Sequence, residues 1–141
     1  MLIWPKYVVV GLCCLISSDG SIRHQSGTIT ISASSEKEWL KQIKKTLRNH
    51  KIGTSIQGPS TQNTRGFIEK YESKSKGIHN LMLNKRYPKG RPGGLNQHQV
   101  FRNSIEHWGV QDYLMNRKYE MLCKLTEAIS PSKARIQTSI L

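Results

Sequence analysis

Spacing removes most of the side chains that could do chemistry in this chain. Five histidines, His24, His50, His79, His98 and His107, are scattered, with neither the HxxxH nor the CxxC pattern of a zinc site. Cys13, Cys14 and Cys123 make no disulfide framework. The first two are neighbours that do not bridge each other, and an odd count without CxxC points to a reducing, intracellular compartment. Cys123 reads as a small buried hydrophobe, not a nucleophile. What remains is charge. Lys and Arg number 22 against 9 Asp and Glu, a net charge of +13 with a pI near 10.0. A domain this basic faces phosphates, nucleic acid first and anionic membrane second. Its basic residues are interleaved with apolar ones, which counts against disordered tails.

These side chains have to be positioned by one domain. The length of 141 residues suits a single unit, and 36% hydrophobic residues suffice for a core. The longest apolar run, residues 7–16, is far short of the roughly 18 residues a membrane span needs. With Lys6 before it, the run looks like a secretion signal, but its exit into Ser17-Ser18-Asp19-Gly20 lacks a cleavage site. Three valines favour strand over this run and its length favours helix. A helix apolar all round must be buried on all sides. Gly11, Cys13 and Cys14 are small enough to let another backbone come close. After the Asp19-Gly20 punctuation, residues 21–25 read as a short strand and 25–27 as a turn. Residues 28–34 alternate strictly, with Ile29, Ile31 and Ala33 inward and Thr28, Thr30, Ser32 and Ser34 outward.

A second helix is expected to open on a capping box, Ser35 with Glu38, and to run to about Asn49. Its apolar stripe is Trp39, Leu40, Ile43 and Leu47, and its wet face Lys41, Lys44, Lys45 and Arg48. Residues 54–57 form a strand with Ile56 inward and Ser55 and Gln57 outward. A turn over 58–63 follows, and 66–71 reads equally as strand or loop. Residues 78–84 alternate again, Leu81 and Leu83 opposite Asn80, Met82 and Asn84. The basic loop 85–94, opening with Lys85 and Arg86, reads equally as a connector and as a phosphate contact. The tail is helical over 95–107 and 111–129, and Ser130-Pro131 stops it. Trp39 and Trp108 read as core residues.

The segment Leu12-Cys13-Cys14-Leu15-Ile16-Ser17-Ser18-Asp19-Gly20 resembles the motif of the LAGLIDADG homing endonucleases. The matches are Leu12, Leu15, Ile16, Asp19 and Gly20. Cys13 and Cys14 replace Ala and Gly, Ser17 replaces the first Asp, and Ser18 the second Ala. Downstream, Ile29 to Ser34 leading into Glu38-Trp39-Leu40 looks like the family's second strand and helix. Tyr113-Leu114-Met115-Asn116-Arg117-Lys118 looks like its late "(F/Y)-L-x-x-K" segment.

The resemblance implies an α+β domain over 1–141, αββαββα, with an antiparallel saddle backed by helices. It implies a homodimer packed through the motif helix at Gly11, Leu12, Cys14 and Leu15, since one chain carries one motif. Asp19 and Gly20 would meet Mg²⁺ or Mn²⁺ between two subunits, and Arg117 or Lys118 would assist catalysis. Double-stranded DNA would be read by Arg23, Gln25, Thr28, Thr30, Ser32, Ser34, Ser55, Gln57, Asn80 and Asn84, with phosphate contacts from Lys85 and Arg86. The expected function is site-specific, intron-encoded, metal-dependent cleavage of both strands at a long pseudo-palindromic target, with no membrane partner. The alternative is a non-cleaving binder of this type, a maturase on RNA or a DNA-binding regulator. The position where relatives often place a water-ordering residue aligns with Ala33 or Ser34, and Ala33 would carry no such group. His79-Asn80 with His98 lacks the flanking pattern of an HNH nuclease.

Overall fold

The computed structural model describes residues 2–59, 77–87 and 96–129. The expected turn beyond residue 59, the undecided stretch 66–71, residues 88–94 of the basic loop and the Ser130-Pro131 stop lie outside them.

The apolar run is a helix, α1 (Lys6–Asp19), entered through Pro5 and ended where Gly20 turns extended. Length prevails over the valines because one helical face buries Val8, Val9, Leu12, Cys13 and Ile16 together. The expectation of burial on all sides is corrected. Tyr7, Gly11, Cys14 and Ser18, spaced i, i+4, i+7 and i+11, form an exposed stripe.

The chain continues through β1 (Ser21–Arg23), β2 (Thr28–Ser34), α2 (Lys37–Asn49), β3 (Thr54–Gln57), β4 (His79–Leu83) and α3 (Gln97–Trp108). A 3₁₀ turn over Gln111–Tyr113 leads into α4 (Asn116–Ile129). The described residues thus form a mixed α+β fold, four helices with one antiparallel sheet in the order β1-β2-β4-β3. Helices α1, α2 and α4 pack on the strands. Between them lie Leu12, Ile16, Ile29, Ile31, Leu40 and Leu81, all essentially inaccessible. Phe101 of α3 extends this core and stacks on Trp4, ring centroids 6.1 Å apart.

Register decides which side chains the sheet presents. Ser21 pairs with Thr30, Thr30 with Met82, and Met82 with Ser55, a row that crosses all four strands. The pairing then shifts between Thr30 and Ser32, so Ile31 is the extra residue of a β-bulge. Beyond it Ser32 pairs with the buried Leu81, and Ala33 with Asn80. Strict alternation over residues 28–34 is therefore corrected. Ser32 turns inward (1% exposed), Ser34 shares its side, and Ala33 joins the outer face.

Two helix boundaries also differ from expectation. The capping box at Ser35 does not form. Ser34 Oγ accepts the Glu36 amide at 3.0 Å, the helix starts at Lys37, and Glu38 is left one position early. The tail is not one helix over 111–129. Leu114 is extended (φ −113°, ψ 131°), and the helix restarts at Asn116.

Candidate functional site

The end of α1 is held by its neighbours. Ser17 Oγ donates to the Tyr113 carbonyl (3.0 Å) and accepts the Met115 amide (3.1 Å). This hydroxyl serves the break before α4 from a residue almost a hundred positions away, which is why local periodicity could not show the break. Lys118, on the first turn of α4, donates its ammonium to the carbonyls of Ile16, Ser17 (3.2 Å) and Gly20 (3.0 Å). An ammonium has three N–H groups, so all of them are engaged. Lys118 therefore holds the C-terminal turn of α1, whose carbonyls carry the negative end of the helix dipole. Burial lowers its pKa, Arg117 lowers it further, and the charge of Asp19 opposes both. Arg117, its exposed neighbour, has no hydrogen bond or ion pair within the described residues. Of the two basic residues expected to assist catalysis, Lys118 has no N–H left to offer and Arg117 is available.

Asp19 is the last residue of α1 and is exposed. It makes no ion pair with any described residue. Gly20 explains the Asp-Gly pairing in physical terms. A Cβ there would drive into the carbonyl oxygens of Thr30 and Ile31 and the Cα of Ile16, so only glycine fits between α1 and the bulge of β2. The bulge, the glycine and the carboxylate form one junction, where α1 ends and the sheet begins.

The outer sheet face carries Ser21, Arg23, Thr28, Thr30, Ser55, Gln57 and Asn80, each exposed or half-exposed. Asn84, just past β4, accepts a hydrogen bond from Ser55 Oγ at 2.7 Å. Ser32 is withdrawn from this face, and its hydroxyl is buried without a partner. Ser34 is withdrawn too, its oxygen occupied at the start of α2. Gln25 is exposed in the hairpin turn beyond β1. Lys85 and Arg86 are exposed past β4, where Arg86 bridges to Asn96. Met82 and Ala33 also belong to the outer face. Alternation points Met82 outward but Ala33 inward, because no Gly or Pro marks the bulge that reverses it.

The base of the basic loop is fixed by α3. Gln97 Oε1 accepts the Gly53 amide (2.8 Å), and Nε2 donates to the carbonyls of Gly53 (2.9 Å) and Asn84 (2.7 Å). Buried His98 contacts the Leu83 carbonyl through Nε2 at 3.1 Å, leaving Nδ1 without a partner. Burial lowers its pKa, partly opposed by the Leu83 bond, and nearby Lys85 lowers it again. No single-residue pattern marks Gln97 or His98 as anchors.

Of the four expected interface residues, the structure separates Leu12 from the rest. Leu12 is 2% exposed and belongs to the chain's own core, a correction. Gly11 and Cys14 are exposed and Leu15 is half-buried. Beside the exposed stripe runs an apolar groove of about 330 Å³ between α1 and α2, lined by Tyr7, Gly11, Leu15, Trp39 and Ile43 among others. Trp39 (46% exposed) and Trp108 (39%) are thus not the core residues expected. Buried Cys13, on the opposite side of α1, has its thiol pushed by burial up to about 12.

Among the described residues no three His, Cys, Asp or Glu side chains gather into a metal-binding group. No described helix is long and apolar enough to cross a membrane. The chain matches no protein-family model, no curated protein and no solved structure.

Proposed function

We propose that this chain is one subunit of a homodimeric, divalent-metal-dependent DNA endonuclease of the LAGLIDADG homing type. The observation that carries the reading is the junction at Asp19 and Gly20. It brings together an exposed helix stripe of small residues, an unpaired carboxylate and a polar sheet face. The element order of the described residues, αββαββ followed by helices, and their sheet order β1-β2-β4-β3 support the same architecture.

The dimer surface is the stripe of Gly11, Cys14 and Ser18 with Tyr7 and Trp39 beside it. An added Cβ at Gly11 meets nothing within 4 Å in the protomer, so a second helix has room to approach. Two copies related by a two-fold axis along this stripe bring two Asp19 carboxylates together.

Of the two expected ligands, the exposed Asp19 carboxylate fits a hard divalent cation in kind, whereas the Gly20 carbonyl is engaged by the Lys118 ammonium at 3.0 Å, so the Asp19 carboxylates of two copies, with water, would hold the cation. When bound, Mg²⁺ or Mn²⁺ supplies charge neutralisation at phosphate and a lowered pKa for attacking water. Asp19 holds the negative charge that draws the cation to the end of α1. Arg117, free and permanently charged, faces the phosphate oxygens as negative charge builds on them. Lys118 and Ser17 fix the helix end on which Asp19 stands. In each strand the oxygen of water bonds to phosphorus, one P–O ester bond breaks, and the leaving oxygen takes up a proton.

DNA lies on the outer sheet face in this reading, with Arg23, Thr28, Thr30, Ser55, Gln57, Asn80 and Asn84 at base edges and Gln25 at its rim. Lys85 and Arg86 reach the backbone. The wet flank of α2 belongs to the helical layer behind the sheet.

The test is a cleavage selection on a randomised duplex library with Mg²⁺. Wild-type protein should enrich one pseudo-palindromic target and cut it, while Asp19→Asn binds that target without cutting. Enrichment without cleavage by the wild type favours the non-cleaving binder. Absence of enrichment contradicts the reading.

A further inference from the structure

Within the four described strands the outer face is polar except at one place, while exposed Ile78 lies just before β4. Met82 lies at its centre, flanked by Thr30 on β2 and Ser55 on β3. Ala33 lies beside it. It pairs with Asn80, two residues before Met82, so the two side chains are diagonal neighbours about 7–8 Å apart or less. Both are half-exposed. Ala33 is there because the bulge at Ile31 reverses the facing of β2, withdrawing Ser32 and presenting a methyl group. Thr30 Oγ1 donates a hydrogen bond to Met82 Sδ at 3.1 Å, which steadies the thioether and occupies its weak acceptor. An apolar spot has thus been built into a face otherwise made of hydrogen-bonding side chains.

Base edges in the major groove are donors and acceptors with one exception, the C5-methyl of thymine. A polar edge set against Met82 and Ala33 would lose its water and gain no partner. We infer that Ala33 and Met82 are specificity-determining residues that read thymine by its C5-methyl group. This rests on the reading of the outer sheet face as a DNA-reading surface. The remaining face residues read hydrogen-bonding edges around that spot.

The probe is the duplex pool enriched by wild-type protein from a randomised library, amplified once with dTTP and once with dUTP. The two pools differ only in the C5-methyl. Wild-type protein is expected to hold the thymine pool at least about fourfold more tightly, the worth of burying one methyl-sized group. The Ala33→Ser/Met82→Gln variant should hold the two pools equally. Both positions are half-exposed and the substitutions near-isosteric, so the melting temperature, measured alongside, should change little. Equal binding of both pools by the wild type overturns the inference and leaves the DNA-reading surface standing. A preference that persists in the double variant overturns it too, since the methyl is then read elsewhere. No enrichment from the library sinks the DNA-reading surface and this inference with it.

Discussion

Replacing Lys118 by methionine removes the ammonium and keeps most of the stem, which isolates the clamp on α1. A hydrogen bond to a charged donor contributes about 1.5–3 kcal/mol when both groups are buried. Here one cation serves three carbonyls at a half-exposed helix end, where water takes over part of what is lost. The helix-end charge adds roughly 0.3–1 kcal/mol. Burial of the ammonium, which lowers its pKa, subtracts from the sum. A net loss of about 2 kcal/mol follows, or about 6 °C in melting temperature for a domain of this size. Thermal denaturation of the wild type, Lys118→Met, Lys118→Arg and Arg117→Met reads it directly. The arginine variant keeps the charge, but its planar fork cannot converge on three carbonyls, so it recovers only part of the loss. Arg117→Met, exposed and unpaired, should change stability by no more than about 0.5 kcal/mol while lowering cleavage. If Lys118→Met melts within about 1 °C of the wild type, the clamp does not hold the helix end.

Gly20→Ala should be among the most damaging single changes, because its Cβ meets backbone on both sides and neither can yield cheaply; a loss above roughly 3 kcal/mol in urea unfolding is expected, and a loss near zero contradicts the packing. His98 gives an acid-side dependence. Its folded pKa lies below the unfolded value of 6.5, so its contribution is fully present above pH 6.5 and is lost as pH falls through the lowered folded value. Its share of the unfolding free energy from urea titrations should be flat above pH 6.5 and fall below it by at most about 1.4 kcal/mol per pH unit, a slope that His98→Gln should reduce.

Much of the architecture is legible in the residues, and most of the exceptions share a cause. The strands at 28–34 and 54–57 have the expected bounds, and β4 keeps Leu81 and Leu83 inward, because period-two alternation is a local property. The bulge at Ile31 is not local. Gly20 and the end of α1 need the carbonyls of Thr30 and Ile31 in that arrangement, and no residue within β2 signals it. The break at Leu114 likewise depends on Ser17; only the missing cap at Ser35 is local, displaced by a hydroxyl one residue earlier. Leu12 lies in the chain's own core and not on the expected interface, because an all-apolar helix gives no internal clue to which side meets that core. Asp19 stands out in sequence as an acid at the end of an apolar run in a cationic chain. The division of labour between Arg117 and Lys118 emerges only when their hydrogen bonds are traced.

The central claim is that each of two copies contributes one Asp19 to a shared cleavage site. Dimers containing one wild-type and one Asp19→Asn subunit, isolated with two different affinity tags, test this most directly on the enriched target with Mg²⁺. They are expected to bind as tightly as the wild type and to make no double-strand breaks. Double-strand cleavage by the mixed dimer at the wild-type rate would contradict the shared site.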